Sequence, residues 1–448
     1  MSGQAMAPGA ALRWIGLFVA ALVLLAGAQR WITGTAAEEP ARAAVRGWAP
    51  ASYDQALEAL DREVARGEAR LVANADSWAA HEALASALHA RGQLTGAHTD
   101  LAAAFARAET ARSLAPDRGG PVLSRAVIAL SLHRNDIAGA EVSRIAGYAV
   151  PAPVGERAEG EAILGDVALY RGAYAQALAR YRAAEALEPG LGTTVRLSDW
   201  HRHMGQFPKA RAILDAALEG ETMAPWARAA LLLQRGAIEL QTGDWTAAER
   251  YFADADAAFP GWWLARAHLG QMAATRGAFD EAERLYRAAM VGAERPSVMD
   301  ALAAVLAAQG RDAEAVEVAR DAARLWRARA ASHPAAYADH AFEAALAQGD
   351  TAAAFGYAAV NYRTRPYGDG RIGLARAAAA RGRDAEARAV LEELDRTGWR
   401  SSEQYRVLAQ VCERLGDLAC AANSRRSALA ISPLAFDKRA SLLFFSNH

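Results

Sequence analysis

Residues Glu161–Pro189 read EAILGDVALYRGAYAQALARYRAAEALEP. Apolar and small residues recur at helical spacing on both sides of Gly172, so the stretch reads as two short amphipathic helices meeting at a glycine. Glycine suits that point because a tight turn between antiparallel helices favours a left-handed backbone and a close approach of the two chains. Pro189 ends the second helix, which a proline cannot continue.

Outward from this hairpin the same punctuation returns. A small residue ends one helix, two residues ahead of the start of the next, at Gly92, Asn135, Gly172, Gly205, Gly243, Gly277, Gly310, Gly349, Gly382 and Gly416. From Gly172 onward the steps lie between 33 and 39 residues. Asparagine at 135 replaces glycine as the next best residue for a left-handed turn. Seven residues before the marker stand Gly165, Gly236 and Gly270, then Ala303, Ala375 and Ala409. Five after it stands an alanine in every copy, from Ala97 and Ala140 to Ala387 and Ala421. Small residues at both places let the two helices of a hairpin approach. Two after the marker comes an apolar knob at Tyr174, Phe207, Trp245, Phe279 and Leu418, but Asp312, Thr351 and Asp384 in weaker copies. Pro189, Pro260, Pro366 and Pro433 each close a unit.

This pattern resembles the tetratricopeptide repeat family, whose period is about 34 residues. The resemblance covers roughly residues 77–433 and implies an all-α, right-handed superhelical solenoid of about ten helical hairpins. Four departures are expected to reshape it locally. The second helix is extended through 99–116, loops fall at 146–160 and 220–225, and a long second helix runs through 316–332.

Composition agrees with helices. The 448 residues are rich in Ala, Leu, Arg and Glu, all good helix formers. No alternating Val/Ile/Thr run suggests a sheet. Formal net charge is −1, and Lys209 and Lys438 are the only lysines. No strongly basic face is evident, which argues against a nucleic-acid partner.

Residues 11–28 form an apolar run carrying only Arg13, flanked by Trp14 and Trp31. It is just long enough to cross a hydrocarbon core of roughly 30 Å. We read 1–32 as a single N-terminal apolar helix acting as a signal-anchor, contacting the membrane through 11–31. Ala26-Gly27-Ala28 leaves a cleaved signal peptide as the alternative. Arg30, Arg42 and Arg46 beyond the span favour a cytosolic repeat domain by the positive-inside rule. The export-like layout of the short N-terminal tail favours the periplasmic side of a bacterial inner membrane, which we adopt. Residues 33–51 read as a linker, 52–76 as a capping helix, 77–433 as the solenoid, and 434–448 as a final helix capping the last hairpin.

No motif for catalysis, phosphate binding or a metal emerges. His201 and His203 lie two apart, so on a helix they face different ways. No cofactor, metal or catalytic residue is assigned, and the chain is not read as an enzyme. Cys412 and Cys420 lie on opposite sides of Gly416 at equal distance, which makes them a candidate disulfide.

In the tetratricopeptide family the first helix of each hairpin lines a concave groove that holds a peptide or an extended partner segment. Carried onto this sequence, the groove residues are Asp166, Tyr170, Asp199, Arg202, His203, Gln234, Gln271, Arg376, Arg406, Gln410 and Arg414. The arginines at the C-terminal end suit an acidic peptide or carboxylate. Trp226, Trp262 and Trp263 are candidates for packing between repeats, or for anchoring a partner. The expected function is a membrane-tethered adaptor in envelope assembly, secretion or polysaccharide export. An exported soluble binding protein and an enzyme on a helical-repeat scaffold are the alternatives.

Overall fold

The computed structural model describes residues 49–116, 119–145, 147–148, 151–220 and 223–445. Among them the chain is all-helical, with 21 α-helices, one 3-10 turn and no strand. The first helix, α1 (Tyr53–Ala73), packs on the next and leads into ten hairpins. The first five pair α2 (Trp78–Thr95) with α3 (His98–Leu114), α4 (Val122–Ser131) with α5 (Asn135–Ile145), α6 (Val154–Tyr170) with α7 (Tyr174–Leu187), α8 (Leu191–His203) with α9 (Phe207–Leu218), and α10 (Pro225–Thr242) with α11 (Trp245–Ala258). The second five pair α12 (Trp263–Thr275) with α13 (Phe279–Ala289), α14 (Pro296–Ala308) with α15 (Asp312–Ser332), α16 (Pro334–Ala347) with α17 (Thr351–Thr364), α18 (Gly368–Ala380) with α19 (Asp384–Arg396), and α20 (Ser402–Arg414) with α21 (Leu418–Ile431). The signal-anchor and most of the linker lie outside the described residues. No described helix is long and apolar enough to cross a membrane.

Each hairpin follows from a fixed register. Where glycine stands seven residues before the turn, an aromatic ring from the second helix takes its place. A Cβ on Gly165 would lie 2.4 Å from Tyr181, one on Gly236 2.5 Å from Phe252, and one on Gly270 2.8 Å from Tyr286. The turn glycines from 172 to 416 hold φ between 67° and 86°. Asp244, Asp350 and Asp417, each directly after its glycine, cap the second helix through their side chains, satisfying an amide that the helix start leaves unpaired.

The first two turns sit elsewhere than the sequence spacing predicts. Gly92 is buried inside α2, which runs on to Thr95, and the left-handed residue is Gly96 at φ 71°. In the next unit the left-handed residue is His133 at φ 52°, and Asn135 already belongs to α5. The residues five after these turns are therefore Leu101 and Ala138, both buried, rather than Ala97 and Ala140. The loop expected over 146–160 also shortens, because Pro153 starts α6 at Val154.

The ten hairpins coil into two stacked layers. The turns of the first five rest on the links between hairpins in the second five. Trp263 Nε1 donates to Leu94 O at 3.0 Å and Arg295 Nε to Thr95 O at 2.9 Å. His98 meets Tyr337 Oη at 3.0 Å. Gly172 abuts Pro366, Gly205 abuts Arg400, and Gly243 abuts Ser432 and Pro433. Arg400 N donates to His203 O at 2.9 Å. Conversely, Gly277, Gly310, Gly349, Gly382 and Gly416 have open space where a Cβ would point.

This layering accounts for the uneven knobs. Tyr174 and Phe207 are buried between the layers. Asp312 is exposed, Thr351 and Asp384 are half-buried, and Leu418 is 74% exposed, because these turns form an outer rim. The two classes of turn should respond differently to one extra methyl. Gly277→Ala is expected to cost about 1–2 kcal/mol from left-handed strain alone. Gly205→Ala should cost more, since its Cβ would also lie 2.7 Å from Arg400 Cβ. Equal midpoint shifts in parallel urea titrations would contradict the layered arrangement.

Candidate functional site

The first helix of each hairpin forms the inner wall. Their burial shows it: α10 buries Ala229–Leu240 without a break, whereas its partner α11 buries only Ala247, Ala248, Phe252 and Ala255. A helix buried almost all round faces protein on most sides.

In the first layer this wall is sealed. Asp166 accepts from Tyr181 Oη at 2.9 Å and from Arg196, which also grips Glu159 at 3.1 Å. Burial raises the Asp166 carboxyl despite the Arg196 guanidinium beside it. Asp199 accepts from Arg202 Nε at 3.0 Å and lies 3.2 Å from His203 Nε2. Burial also works to raise Asp199, but Arg202 and His203 overcome it and hold this carboxyl below the usual range. Gln234 is buried as well. Tyr170 lies at the seam between layers, edge-on to Tyr367 at 5.2 Å and to His133 at 5.2 Å. Asp166, Tyr170, Asp199, Arg202, His203 and Gln234 are all buried: the two acids in ion pairs within the first layer, Tyr170 and His203 against Tyr367 and Trp399 of the second.

The second layer's inner wall is ion-paired too, with its arginines less deeply buried. Arg376 on α18 donates Nη2 to Glu343 of α16 at 2.9 Å, and its Nε lies 3.6 Å from Glu403 of α20. Glu403 in turn accepts from Arg406 at 2.8 Å. Arg376, Arg406 and Glu343 are half-buried. Arg376 and Arg406, both carried over as groove residues, meet at Glu403, and Glu343 lies beside Arg376; neither acid was singled out from the sequence. Gln410 is exposed, and exposed Arg414 pairs with Asp384 of α19 at 2.9 Å, away from this cluster. Glu343 had a readable signal. It stands six residues before Gly349, in the same register as Asp166, Asp199, Gln271, Arg376 and Gln410.

Asp300 is the other missed residue. It lies on α14, half-buried, and accepts from Trp326 Nε1 at 2.8 Å. Burial, with Glu343 nearby, pushes its carboxyl up to about 7. A carboxyl raised in the folded state favours folding most at low pH and loses that advantage as pH rises through 7. Asp300→Asn keeps an acceptor for Trp326 but cannot ionise. It should leave stability unchanged below about pH 4 and raise it progressively between about pH 4 and pH 7, reaching at least about 2 kcal/mol by pH 8, as read by urea titration across that range; no pH-dependent difference would refute the assignment.

Other sequence candidates resolve into packing. Trp262 is buried, Trp263 supports the layer contact beneath Arg295, and Trp226 packs against the central core. Cys412 and Cys420 are joined by a disulfide across the last turn, with Cα atoms 5.8 Å apart. Among the described residues no group of three or more His, Cys, Asp and Glu is arranged to hold a metal ion. An opening of about 20 Å³, room for roughly one water, lies between the layers beside His203 and Trp399.

Comparison with known proteins adds one direct match. The family model described as tetratricopeptide repeat matches residues 297–335, which is the hairpin α14–α15 with the long second helix. No curated protein matches the chain. Among solved structures, yeast Tom70 aligns at 15% identity with a TM-score of 0.38, covering 85% of this chain and 88% of its own. The APC/C hetero-tetramer Cut9-Hcn1 aligns at 14% identity with a TM-score of 0.32, covering 95% of this chain and 97% of its own. At those scores neither carries an argument about this molecule. The described residues form an all-helical repeat structure, and the α14–α15 hairpin matches the tetratricopeptide repeat by sequence.

Proposed function

We propose that this chain is a membrane-tethered scaffold whose second-layer inner wall holds an extended segment of a partner protein. The observation that carries the reading is the contrast between layers. Both walls carry their own ion pairs, but the first buries both arginines, Arg196 and Arg202, at 2–3% side-chain exposure, while Arg376 and Arg406 on the second keep 11% and 20%, with Asp300 and Glu343 half-buried beside them. Their mixed charges suit a segment with a carboxylate set near Arg376 and Arg406, since guanidinium groups pair with carboxylates in fixed geometry. The tether is the apolar run 11–31. The Cys412–Cys420 disulfide favours an oxidising compartment outside the cytosol, where such bonds persist. With an alanine- and arginine-rich, lysine-poor composition, the setting is a bacterial envelope, in assembly, secretion or polysaccharide export.

Proximity labelling in the native host, with the intact chain and with Arg376→Glu/Arg406→Glu, tests this reading. We expect a defined partner set that the double variant loses. An unchanged set would overturn the site, and no enrichment at all would overturn the scaffold. Intact-mass measurement tests the tether, because loss of residues 1–28 would leave an exported soluble protein instead. One observation favours an enzyme as the second reading. Asp300, raised to about 7 on the wall beside Glu343, is poised as an acid near neutrality.

A further inference from the structure

Among the described residues, 434–445 form no α-helix over the last hairpin, where 434–448 were expected to form a capping helix. After Pro433 the chain makes only the 3-10 turn η1 (Lys438–Leu442), with Arg439 over the Trp245 ring at 5.2 Å. It then turns inward across α12 and α14, in the middle of the molecule. Leu443 is extended, at φ −89° and ψ 103°. Phe444 N and Phe445 N both donate to Gln271 Oε1, at 2.5 and 2.6 Å. Gln271 is fully buried at the inner-wall position six residues before Gly277.

The segment binds as a short extended peptide would. Leu443 and Phe445 are buried while Leu442 and Phe444 stay half-exposed, the alternation of an extended chain lying on a surface. Phe445 packs against His268 and Tyr286, with centroids 5.8 and 6.2 Å away, and joins the cluster of Val298 and Leu302. The grip falls on backbone amides, which any sequence of the same shape presents. Gln271 Nε2 is buried with no hydrogen-bond partner. The resident segment thus uses only half of the amide's bonding capacity, and a buried donor left unpaired is a standing cost.

We infer that the wall of α12 and α14 is a receptor for an extended segment of aliphatic-x-aromatic pattern, and that residues 441–445 are its intramolecular occupant. Release of the occupant opens the site to a partner segment of the same pattern, which offers Gln271 Nε2 a carbonyl as well. This rests on the reading that the second-layer wall takes extended segments, but uses different residues from the charged cluster on α16, α18 and α20.

The test is fluorescence anisotropy with a labelled synthetic peptide of the sequence of residues 438–445, KRASLLFF. The full-length chain carrying Phe445→Asp frees the site, and should bind at least tenfold more tightly than the unaltered chain. Adding Gln271→Ala should weaken that binding at least tenfold. Equal binding to the unaltered and Phe445→Asp chains, or none to a Phe445→Asp chain that still melts cooperatively, overturns the proposal. If Phe445→Asp does not fold, hydrogen exchange on the unaltered chain decides. The amides of Phe444 and Phe445 should exchange at least tenfold faster than those of α14, as a releasable segment requires; equal protection overturns it. Because Arg376 and Arg406 are untouched here, partner capture through them can fail or succeed independently.

Discussion

Trp399→Ala is expected to lower stability by about 3–5 kcal/mol, the range for removing a buried Trp, and to weaken the coupling between the two layers. The indole is 1% exposed and stacks on His203 of the first layer at 4.0 Å. It also touches Tyr174 and Tyr367, at 5.6 and 5.8 Å. The space is made for it: a Cβ on Gly368 would lie 2.0 Å from the ring. In a simple solenoid each repeat contacts only its neighbours. Here Trp399, from the link between α19 and α20, holds the turn between α8 and α9, some 200 residues earlier in the chain. Its loss should therefore lower the urea midpoint and also flatten the transition, because distant hairpins no longer unfold together. Leu418→Ala, on the 74% exposed outer rim, should stay within about 0.5 kcal/mol. A Trp399→Ala effect as small as that of Leu418→Ala would show that the layers do not hold each other.

Arg365→Ala is the second large effect, expected at about 3–5 kcal/mol. The guanidinium is 2% exposed, donating to Asp339 at 3.0 Å and to Asn361 at 2.7 and 3.1 Å. It lies between the Tyr170 ring of the first layer and Tyr367 of the second, at 6.0 and 5.8 Å. Burial alone would lower its pKa, but Asp339 and the two tyrosines reverse that, so it stays charged. Alanine leaves the Asp339 carboxylate buried without its guanidinium, which costs more than the pair is worth. Removing both charges in Arg365→Met/Asp339→Asn should recover at least about 2 kcal/mol relative to the sum of the single variants. Additive losses in that cycle would mean the pair is not coupled.

How much of this was legible in the sequence differs by level. The hairpins were, because they depend on spacing along one short stretch: a ring from the second helix must fall opposite the glycine of the first. The register failed where a different residue supplied the turn. Gly92 is a glycine inside a helix, and His133 is a left-handed residue that is not a glycine. Composition alone cannot tell these cases apart. Of the groove residues, Gln271, Arg376 and Arg406 were placed on the second-layer wall, but the acids bridging the arginines come from neighbouring helices. Asp166, Asp199 and Gln234 carry the same polar signal and are sealed. A polar residue facing inward reads the same whether water or a second layer stands opposite.

The sequence by itself determined that the chain is a run of about ten helical hairpins, because turn, close approach and capping are settled within some 30 residues of each other. It even carried a trace of the layering, in apolar knobs that weaken to Asp312, Thr351 and Asp384. Only the tertiary structure decided that the first five turns pack on the second five links, and that residues 441–445 fold back onto Gln271. Those contacts join residues roughly 170–240 positions apart. They depend on the small rotation each hairpin adds to the last, a sum over the whole chain that no local spacing records.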